Sequence, residues 1–133
     1  MSRARPAPGV LDALSSCDAV VVCPSNPVIS IGPILAVPGI REVLEHRTVP
    51  CVAVSPLVGG RAVKGPADRM LARLAGGTTP AHVASCDEGL IDALVVDESD
   101  ERVELPAGIR TVVTKTLMTD LDASRRLAEV ALA

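Results

Sequence analysis

Ala93-Leu94-Val95-Val96 is an uninterrupted apolar run in the second half of the chain. A strand that is covered on both faces of a sheet has this continuous pattern, whereas a strand with one solvent-exposed face alternates apolar and polar residues. Three further short, Val-rich runs occur, at Ala19–Cys23, Cys51–Val54 and Thr111–Thr114. Each run is too short for a typical helix. The four runs therefore predict four buried strands.

Segments with helical spacing lie between these runs. Their apolar residues recur three or four positions apart and so fall on one side of a helix. These segments are 10–14, 40–44 and 67–74. Thr79-Pro80 suits a fresh helix start, and Thr119 or Asp120 suits the cap of the last helix. Alternating strands and helices usually form a parallel sheet with right-handed crossovers. We therefore predict an α/β fold, a Rossmann-like three-layer sandwich with a mostly parallel sheet.

The composition limits both size and function. A chain of 133 residues, of which 48% are hydrophobic, can bury one sizeable core. We predict a single α/β unit over residues 1–133. The sequence has no Phe, Tyr or Trp, so aliphatic side chains do all the packing.

The charge and hydropathy patterns exclude two classes of partner. A net charge of −3 disfavours a sequence-independent grip on nucleic acid, which needs a basic face. No apolar stretch is long enough for a transmembrane helix, and residues 1–20 lack the apolar run of a secretory signal. We predict a cytoplasmic protein with no nucleic-acid and no membrane partner.

The four cysteines are widely spaced. Cys17, Cys23, Cys51 and Cys86 form none of the close pairs that mark zinc sites or redox motifs. We therefore expect them to be buried, reduced thiols.

The candidate site follows from the predicted sheet. In open parallel sheets, ligands bind beyond the carboxyl ends of the strands. The segment 23–39 follows the first predicted strand and contains four prolines and two glycines. Connections in such folds usually take roughly two to six residues, and a longer one is often functional. The segments 55–66, 97–100 and 115–119 follow the other three strands and reach the same edge.

Both lysines of the chain, Lys64 and Lys115, lie in these edge segments. A compact ammonium group beside glycine amides and hydroxyls suits a phosphate or diphosphate. The stretch Gly59–Lys64 can expose backbone N–H groups, and Pro66 begins a helix whose positive end could face an anion. The stretch is not a Walker loop, because Gly65 and Pro66 follow the lysine where Ser or Thr is required.

Structural roles explain the same residues equally well when each is taken alone. Gly59-Gly60 can simply turn the chain, and Ser25 and Asn26 can cap a turn. Lys64 can be solvated, and Asp97 can cap a strand end as readily as it binds a metal. Convergence favours a ligand site, because the fold directs three polar, glycine-bearing segments to one edge of the sheet.

Two groups of motifs in these segments resemble a known family. The first is Pro24-Ser25-Asn26-Pro27 with Ser30–Leu35, and the second is Val54-Ser55-Pro56 with Val58-Gly59-Gly60 and Val63–Ala67. Their order and spacing resemble the 2-phospho-L-lactate transferase family of coenzyme F-420 biosynthesis. The similarity runs from about Val10 to the C-terminus and includes Lys115–Met118.

The resemblance implies a transferase reaction. Its acceptor is the deazaflavin alcohol 7,8-didemethyl-8-hydroxy-5-deazariboflavin. Its donor is a phospholactyl or phosphoenolpyruvyl group carried as a guanosine diphosphate adduct, and GMP is released. The resemblance also implies a Rossmann-like fold, dependence on Mg²⁺, a GDP-type nucleotide site and a homodimer. The Arg-rich, Lys-poor composition suits a GC-rich actinobacterium, which favours the phosphoenolpyruvyl donor.

The resemblance also implies which residues bind the nucleotide and its diphosphate. They are Ser25, Asn26, Pro27, Ser30, Gly32, Gly59, Gly60 and Lys64, with Lys115 and Thr116 as further candidates. No catalytic residue is assigned. The family's full chain is longer and carries a glycine-rich strand-to-helix turn and acidic metal ligands that this sequence lacks. We therefore expect the C-terminal portion of a longer transferase, with the Mg²⁺ ligands outside this chain.

Two other functions remain open on the sequence. A non-catalytic module that binds a nucleotide or a nucleotide sugar would share the Asn-Pro loop of residues 26–27. An inactive fragment would have the same fold without a ligand.

Overall fold

The computed structural model describes residues 4–100, 102 and 104–133. Its centre is a four-stranded parallel sheet, with a separate two-stranded hairpin beside it. The sheet strands are β1 (Val20–Val22), β2 (Cys51–Val54), β5 (Ala93–Asp97) and β6 (Arg110–Thr114), in the order β1-β2-β5-β6. The hairpin strands are β3 (Leu57–Val58) and β4 (Arg61–Ala62). The four predicted strands are confirmed, each to within one residue at either end.

Helices flank the sheet strands along the chain, and the spacing of apolar residues predicts the three that contain segments 10–14, 40–44 and 67–74. They are α1 (Val10–Ser16), α2 (Gly32–Leu35), α3 (Ile40–Glu45), α4 (Ala67–Leu74), α5 (Pro80–Cys86) and α6 (Leu121–Leu132). Asp120, and not Thr119, caps α6, because its Oδ1 accepts a hydrogen bond of 2.7 Å from the Ala123 N–H. An N-cap of this kind satisfies one of the amides that a helix leaves unpaired at its start.

Strand β5 explains why the apolar runs are continuous. All five of its residues are buried, because β2 and β6 pair with its two edges and side chains cover both faces of the sheet. On one face, Leu94 and Val96 join the main core, which includes Leu71 of α4 and Val83 of α5. On the other face, Val95 packs into a smaller cluster with Leu127 of α6. The α/β fold with a mostly parallel sheet is confirmed.

Two local features were not predicted. Residues 27–35 have no periodic apolar pattern, yet they form a π-helical turn (Pro27–Ile31) that continues into α2. The β3–β4 hairpin turns at Gly59 and Gly60, whose φ angles of 59° and 74° lie in the left-handed region. A two-residue hairpin turn with positive φ at both positions strongly favours glycine. The turn, one of the two roles that the sequence leaves open for Gly59-Gly60, is therefore present in the structure.

The cysteines are only partly as expected. All four are free thiols, and Cys51 is buried, with burial raising the pKa of its thiol to about 11. The expectation of burial is wrong for Cys23, which is exposed in the segment that follows β1. Cys17 and Cys86 are half-buried.

The described residues contain no helix with the length and apolar character needed to cross a bilayer. The cytoplasmic location stays a prediction.

Candidate functional site

A cleft of about 480 Å³ opens at the carboxyl edge of the parallel sheet. Small-molecule sites typically occupy roughly 300–1,000 Å³. Three segments that are distant in sequence form its walls, because each follows a different parallel strand. The lining residues are Pro24, Ser25, Asn26, Ile29, Ser30, Ser55, Pro56, Val58, Val63, Lys64, Gly65, Pro66, Ala67, Thr116, Leu117 and Met118.

The cleft brings together half of the residues predicted for the site. Ser25, Asn26 and Ser30 line it from the segment after β1, Lys64 from the segment after the hairpin, and Thr116 from the end of β6. The remaining predicted residues lie outside this lining, and they are Pro27, Gly32, Gly59, Gly60 and Lys115. Their roles in ligand binding stay predictions.

Asn26 holds the first wall of the cleft in shape. Its Oδ1 accepts hydrogen bonds from the N–H groups of Val28, at 2.9 Å, and of Ile29, at 3.2 Å. Asn26 therefore caps the π-helical turn that begins at Pro27. Its Nδ2 lies 3.5 Å from the Met70 sulfur, a weak acceptor. An amide nitrogen carries two hydrogens, so one of them stays available to a ligand.

Pro27 and Gly32 shape the turn from behind the cleft. Pro27 is buried, and its carbonyl accepts a hydrogen bond from the Gly32 N–H. A Cβ atom on Gly32 would lie 3.0 Å from that same carbonyl oxygen, so a larger residue would strain the turn. Both residues have a structural reason for their identity that is independent of any ligand.

Ser55 is a cleft residue that was not among the predicted site residues. It directly follows β2, is only 2% exposed, and its Oγ accepts a hydrogen bond of 3.2 Å from the Leu57 N–H. Its N–H donates to the Val95 carbonyl at 2.8 Å, which extends the β2–β5 pairing by one residue. The hydroxyl hydrogen remains available to donate. The signal in the sequence is its position, directly after a buried strand in the motif Val54-Ser55-Pro56.

Asp97 supports the opposite wall of the cleft. Its Oδ2 accepts hydrogen bonds from the Thr116 N–H at 2.8 Å and from the Thr116 hydroxyl at 3.1 Å. Its Oδ1 accepts two more, from the N–H and the hydroxyl of Ser99. Burial alone would raise the pKa of Asp97, but these hydrogen bonds together lower it below the usual value for Asp. Asp97 therefore caps the end of its strand as a carboxylate, and it fixes the position of Thr116.

The hairpin is attached to the sheet by a second buried carboxyl group. Asp100 is 6% exposed, and its Oδ1 accepts a hydrogen bond of 2.8 Å from the Gly60 N–H. Burial is the main cause that raises the pKa of Asp100, since its Oδ2 is buried without a hydrogen-bond partner. The Gly60 amide is thus already bonded within the protein.

The two lysines have different surroundings. Lys64 is exposed and lines the cleft, and no carboxylate among the described residues forms an ion pair with it. Lys115 is exposed and lies 3.8 Å from Glu98. Lys115 lines a neighbouring depression of about 510 Å³ that also includes Arg126. Lys64 is therefore the lysine placed to neutralise an anion in the cleft.

The cleft lining does not by itself fit Mg²⁺. This ion prefers carboxylate and other oxygen ligands in an octahedral arrangement. The lining supplies hydroxyl and amide groups and one ammonium group, but no carboxylate. The described residues contain no group of three or more potential metal-binding side chains. Dependence on Mg²⁺ stays a prediction that concerns residues beyond this lining.

A larger concavity, of about 1,040 Å³, lies at the start of the chain. It is bounded by residues 4–9 together with Leu11, Asp12 and Pro38. Its charged side chains are Arg5 and Asp12, which have opposite signs, and all its residues except Pro38 precede the first sheet strand. The cleft at the carboxyl edge is therefore the better candidate site.

Comparison with known proteins gives a consistent set of relatives. The family model described as 2-phospho-L-lactate transferase CofD matches residues 1–130. The chain is 49% identical over 135 residues to a phosphoenolpyruvate transferase of Streptomyces griseus. It is 41% identical over 134 residues to a 2-phospho-L-lactate transferase of Methanothermobacter thermautotrophicus. Each alignment covers 98% of this chain but only 42% and 43% of those relatives, respectively.

A solved structure has a similar fold. Protein BH3568 of Bacillus halodurans superposes with a TM-score of 0.61 at 18% identity, over 97% of this chain and 47% of that protein. This likeness concerns the fold alone. The chain thus spans less than half the length of the proteins it matches, and its place as their C-terminal portion stays a prediction.

Proposed function

This chain belongs to the 2-phospho-L-lactate transferase CofD family, and on that premise we propose that its cleft binds the guanosine diphosphate part of the donor. The reaction proposed is transfer of a phosphoenolpyruvyl or phospholactyl group to the deazaflavin alcohol 7,8-didemethyl-8-hydroxy-5-deazariboflavin, with release of GMP. Because the chain spans 42% of its Streptomyces griseus relative, the complete reaction is proposed for this chain together with the part it does not span.

One observation carries the proposal. Polar groups from three segments that follow β1, β2 and β6 converge on one cleft at the ligand edge of a parallel sheet. The side chains of Ser55 and Thr116 are held in place by hydrogen bonds, and Lys64 supplies a positive charge without an internal ion-pair partner among the described residues. This combination of donors suits the oxygens of a diphosphate.

The chemistry requires positioning and charge neutralisation more than covalent catalysis. The acceptor hydroxyl attacks the donor-side phosphorus, a new O–P bond forms, and the P–O bond to the GMP phosphate breaks. Negative charge grows on the departing phosphate oxygen. Lys64 and the Ser55 hydroxyl would stabilise that charge where it develops, and fixed donors of this kind are effective because they need no reorganisation. The acceptor proton goes to a base that this chain does not identify.

The phosphoenolpyruvyl group is the donor that we favour. Relatives named phosphoenolpyruvate transferase, from Streptomyces and Kitasatospora, are 45–49% identical to this chain. Relatives named 2-phospho-L-lactate transferase, from archaeal genera such as Methanosarcina, are 38–41% identical. The higher identity supports the phosphoenolpyruvyl donor. The homodimer, the cytoplasmic location and the Mg²⁺ requirement are proposed from family resemblance, and no step above depends on them.

Calorimetric titration tests the nucleotide assignment. We expect GDP to bind to the chain and a UDP-sugar to bind at least roughly tenfold more weakly, a difference of about 1.4 kcal/mol. Binding of the UDP-sugar without binding of GDP would instead support a nucleotide-sugar module. A melting temperature that no nucleotide changes would support an inactive fragment. The full reaction is tested by supplying the remaining part of the Streptomyces griseus relative and measuring release of GMP.

A further inference from the structure

The neighbouring depression of about 510 Å³ is continuous with the cleft. The two share Val58 of β3 and Leu117 in their linings. The segment after β6 forms part of a wall between them, because Thr116 lines the cleft whereas Lys115 and Thr119 line the depression. A ligand that fills the cleft and extends past Val58 and Leu117 therefore enters the depression.

The charges that line the depression are unequally matched. Asp97 is 5% exposed, and its two oxygens accept four hydrogen bonds from neighbouring backbone and hydroxyl groups. Glu98 lies 3.8 Å from Lys115, so these two charges offset each other. Arg126 of α6 is exposed and forms no ion pair with any carboxylate that the structure describes. Arg126 therefore supplies the unmatched positive charge of the depression.

The donor groups around this charge suit a small organic acid. The Arg126 guanidinium presents its N–H groups in a planar fork, and parallel N–H groups of this kind pair with both oxygens of a carboxylate. Thr114 and Thr119 add hydroxyl groups to the lining. Where the depression meets the cleft, Val58 and Leu117 provide an apolar surface. The depression thus fits an acid whose hydrocarbon part lies next to the cleft.

The group that the proposed reaction transfers has this chemistry. In phosphoenolpyruvate and in 2-phospho-L-lactate, the carbon that bears the ester oxygen also bears a carboxylate and a methylene or methyl group. That carboxylate is separated from the donor-side phosphorus only by the ester oxygen and the carbon to which it is attached. With the diphosphate at Lys64 and Ser55, the carboxylate reaches only the immediate surroundings of the cleft.

We propose that the depression is the subsite for the carboxylate of the transferred group, and that Arg126 determines the preference for a donor with a carboxylate. This inference rests on the proposed function, because it takes the diphosphate to lie in the cleft. The lining of the cleft contains one cationic side chain, Lys64, which the diphosphate engages. A second anionic group on the same ligand needs a positive group outside the cleft, and Arg126 supplies it. GDP has no carboxylate, so Arg126 should not contribute to GDP binding.

Three ligands isolate the contribution of the carboxylate in isothermal titration calorimetry of the intact chain. They are GDP, GDP esterified on its terminal phosphate by the hydroxyl of L-lactate, and the same ester of L-lactamide, in which a neutral carboxamide replaces the carboxylate. We expect the lactate ester to bind about tenfold more tightly than the lactamide ester. In Arg126→Met, the two esters should bind equally to within about twofold, while GDP affinity stays unchanged.

Two further variants assign the effect to Arg126. Arg125→Met removes the adjacent exposed charge, which lines neither the cleft nor the depression, and it should keep the full preference for the lactate ester. Arg126→Lys keeps the charge but loses the planar fork, so it should retain a preference of about threefold. Both arginines are exposed, so each variant should fold, and thermal unfolding verifies this.

The possible outcomes distinguish failure of this inference from failure of the proposed function. Equal binding of the two esters to the unmodified chain would overturn the inference, as would an equal loss of preference in Arg125→Met and Arg126→Met. In both cases GDP still binds and the proposed function stands. If Arg126→Met weakens GDP binding as much as binding of the lactate ester, Arg126 belongs to the nucleotide site and the carboxylate subsite is refuted. Failure of all three ligands to bind would overturn the proposed function, and the inference with it.

Discussion

Two substitutions at Asn26 separate its structural role from its proposed role in binding. Asn26→Ala removes the acceptor that bonds the Val28 and Ile29 N–H groups at 2.9 and 3.2 Å. The Ile29 amide bond is exposed and water can replace it, whereas the Val28 bond is partly buried. Loss of a cap of this kind costs about 1 kcal/mol. For a chain of this length, that corresponds to a fall in melting temperature of roughly 3–6 °C.

Asn26→Asp keeps the capping oxygen and replaces the side-chain amide nitrogen by a second carboxylate oxygen. The two capping bonds can persist, so the melting temperature should stay within about 1–2 °C of the unmodified protein. The new carboxylate, however, lines the cleft proposed for a diphosphate. At a separation of about 6 Å and an effective dielectric constant of about 20, the repulsion per unit charge is roughly 3 kcal/mol. Even after partial screening, we expect GDP affinity to fall by roughly 30-fold or more.

The two variants should therefore rank in opposite orders for thermal stability and for GDP affinity, with the more stable variant binding GDP more weakly. Asn26→Ala should be the less stable variant in differential scanning calorimetry, with GDP affinity lowered only about fivefold by loss of a neutral hydrogen bond. Asn26→Asp should be the more stable variant and the weaker binder in isothermal titration calorimetry. GDP binding that is equal in Asn26→Asp and the unmodified protein would refute the placement of the diphosphate. Equal stability of the two variants would refute the cap.

Two further predictions concern charge. Lys64→Met should lower GDP affinity about tenfold or more in calorimetric titration, with little change in stability because Lys64 is exposed. The control variant Arg126→Met, whose exposed charge lies outside the cleft, should leave GDP affinity unchanged. Equal losses of affinity in both variants would contradict the assignment of Lys64. Asp97 has a lowered pKa in the folded protein, so its contribution to stability is present above the ordinary pKa of Asp and is lost as the pH falls through the lowered value. Asp97→Asn should therefore lower the free energy of unfolding in urea by about 2 kcal/mol at pH 7 and flatten the loss of stability in acid. An acid profile equal to that of the unmodified protein would contradict this role of Asp97.

The sheet was predictable because burial leaves a direct trace in the sequence. Strands such as β5 are covered on both faces, so every position is apolar and the run has no alternation. The helices left a similar trace in the spacing of residues such as Leu71 and Leu127, which face the core. These patterns depend only on neighbours within a few positions. They are therefore readable without knowledge of the folded chain.

The local elements that the sequence did not predict, which are the hairpin and the π-helical turn, leave no periodic pattern of this kind. Each hairpin strand has only two residues, which is too short for any periodicity to appear. The π-helical turn contains Pro27 and ends at Gly32, two residue types that normally break regular structure. Its stability comes from the Asn26 cap and from burial of Pro27, neither of which has a periodic signature.

The site was only partly predictable for a related reason. The edge of the sheet followed from the fold, and it directed attention to Ser25, Asn26 and Lys64, which the structure places in one cleft. The hydrogen bonds that hold the walls join distant positions, such as Asp97 with Thr116 and Asp100 with Gly60. Pairings of this kind arise from the connection between β5 and β6 and from the turn of the hairpin. A single sequence does not specify them.

The proposal that this cleft binds the nucleotide diphosphate is tested most directly by backbone NMR of the intact chain, titrated with GDP. The account predicts shift changes at amides that line the cleft, which are those of Ser25, Asn26, Ile29, Ser30, Ser55, Lys64, Gly65, Ala67 and Thr116. The same titration of Lys64→Met should produce these changes only at about tenfold higher GDP concentration. Shift changes confined to residues 4–12 around the other concavity, or an unchanged spectrum at saturating GDP, would contradict the account.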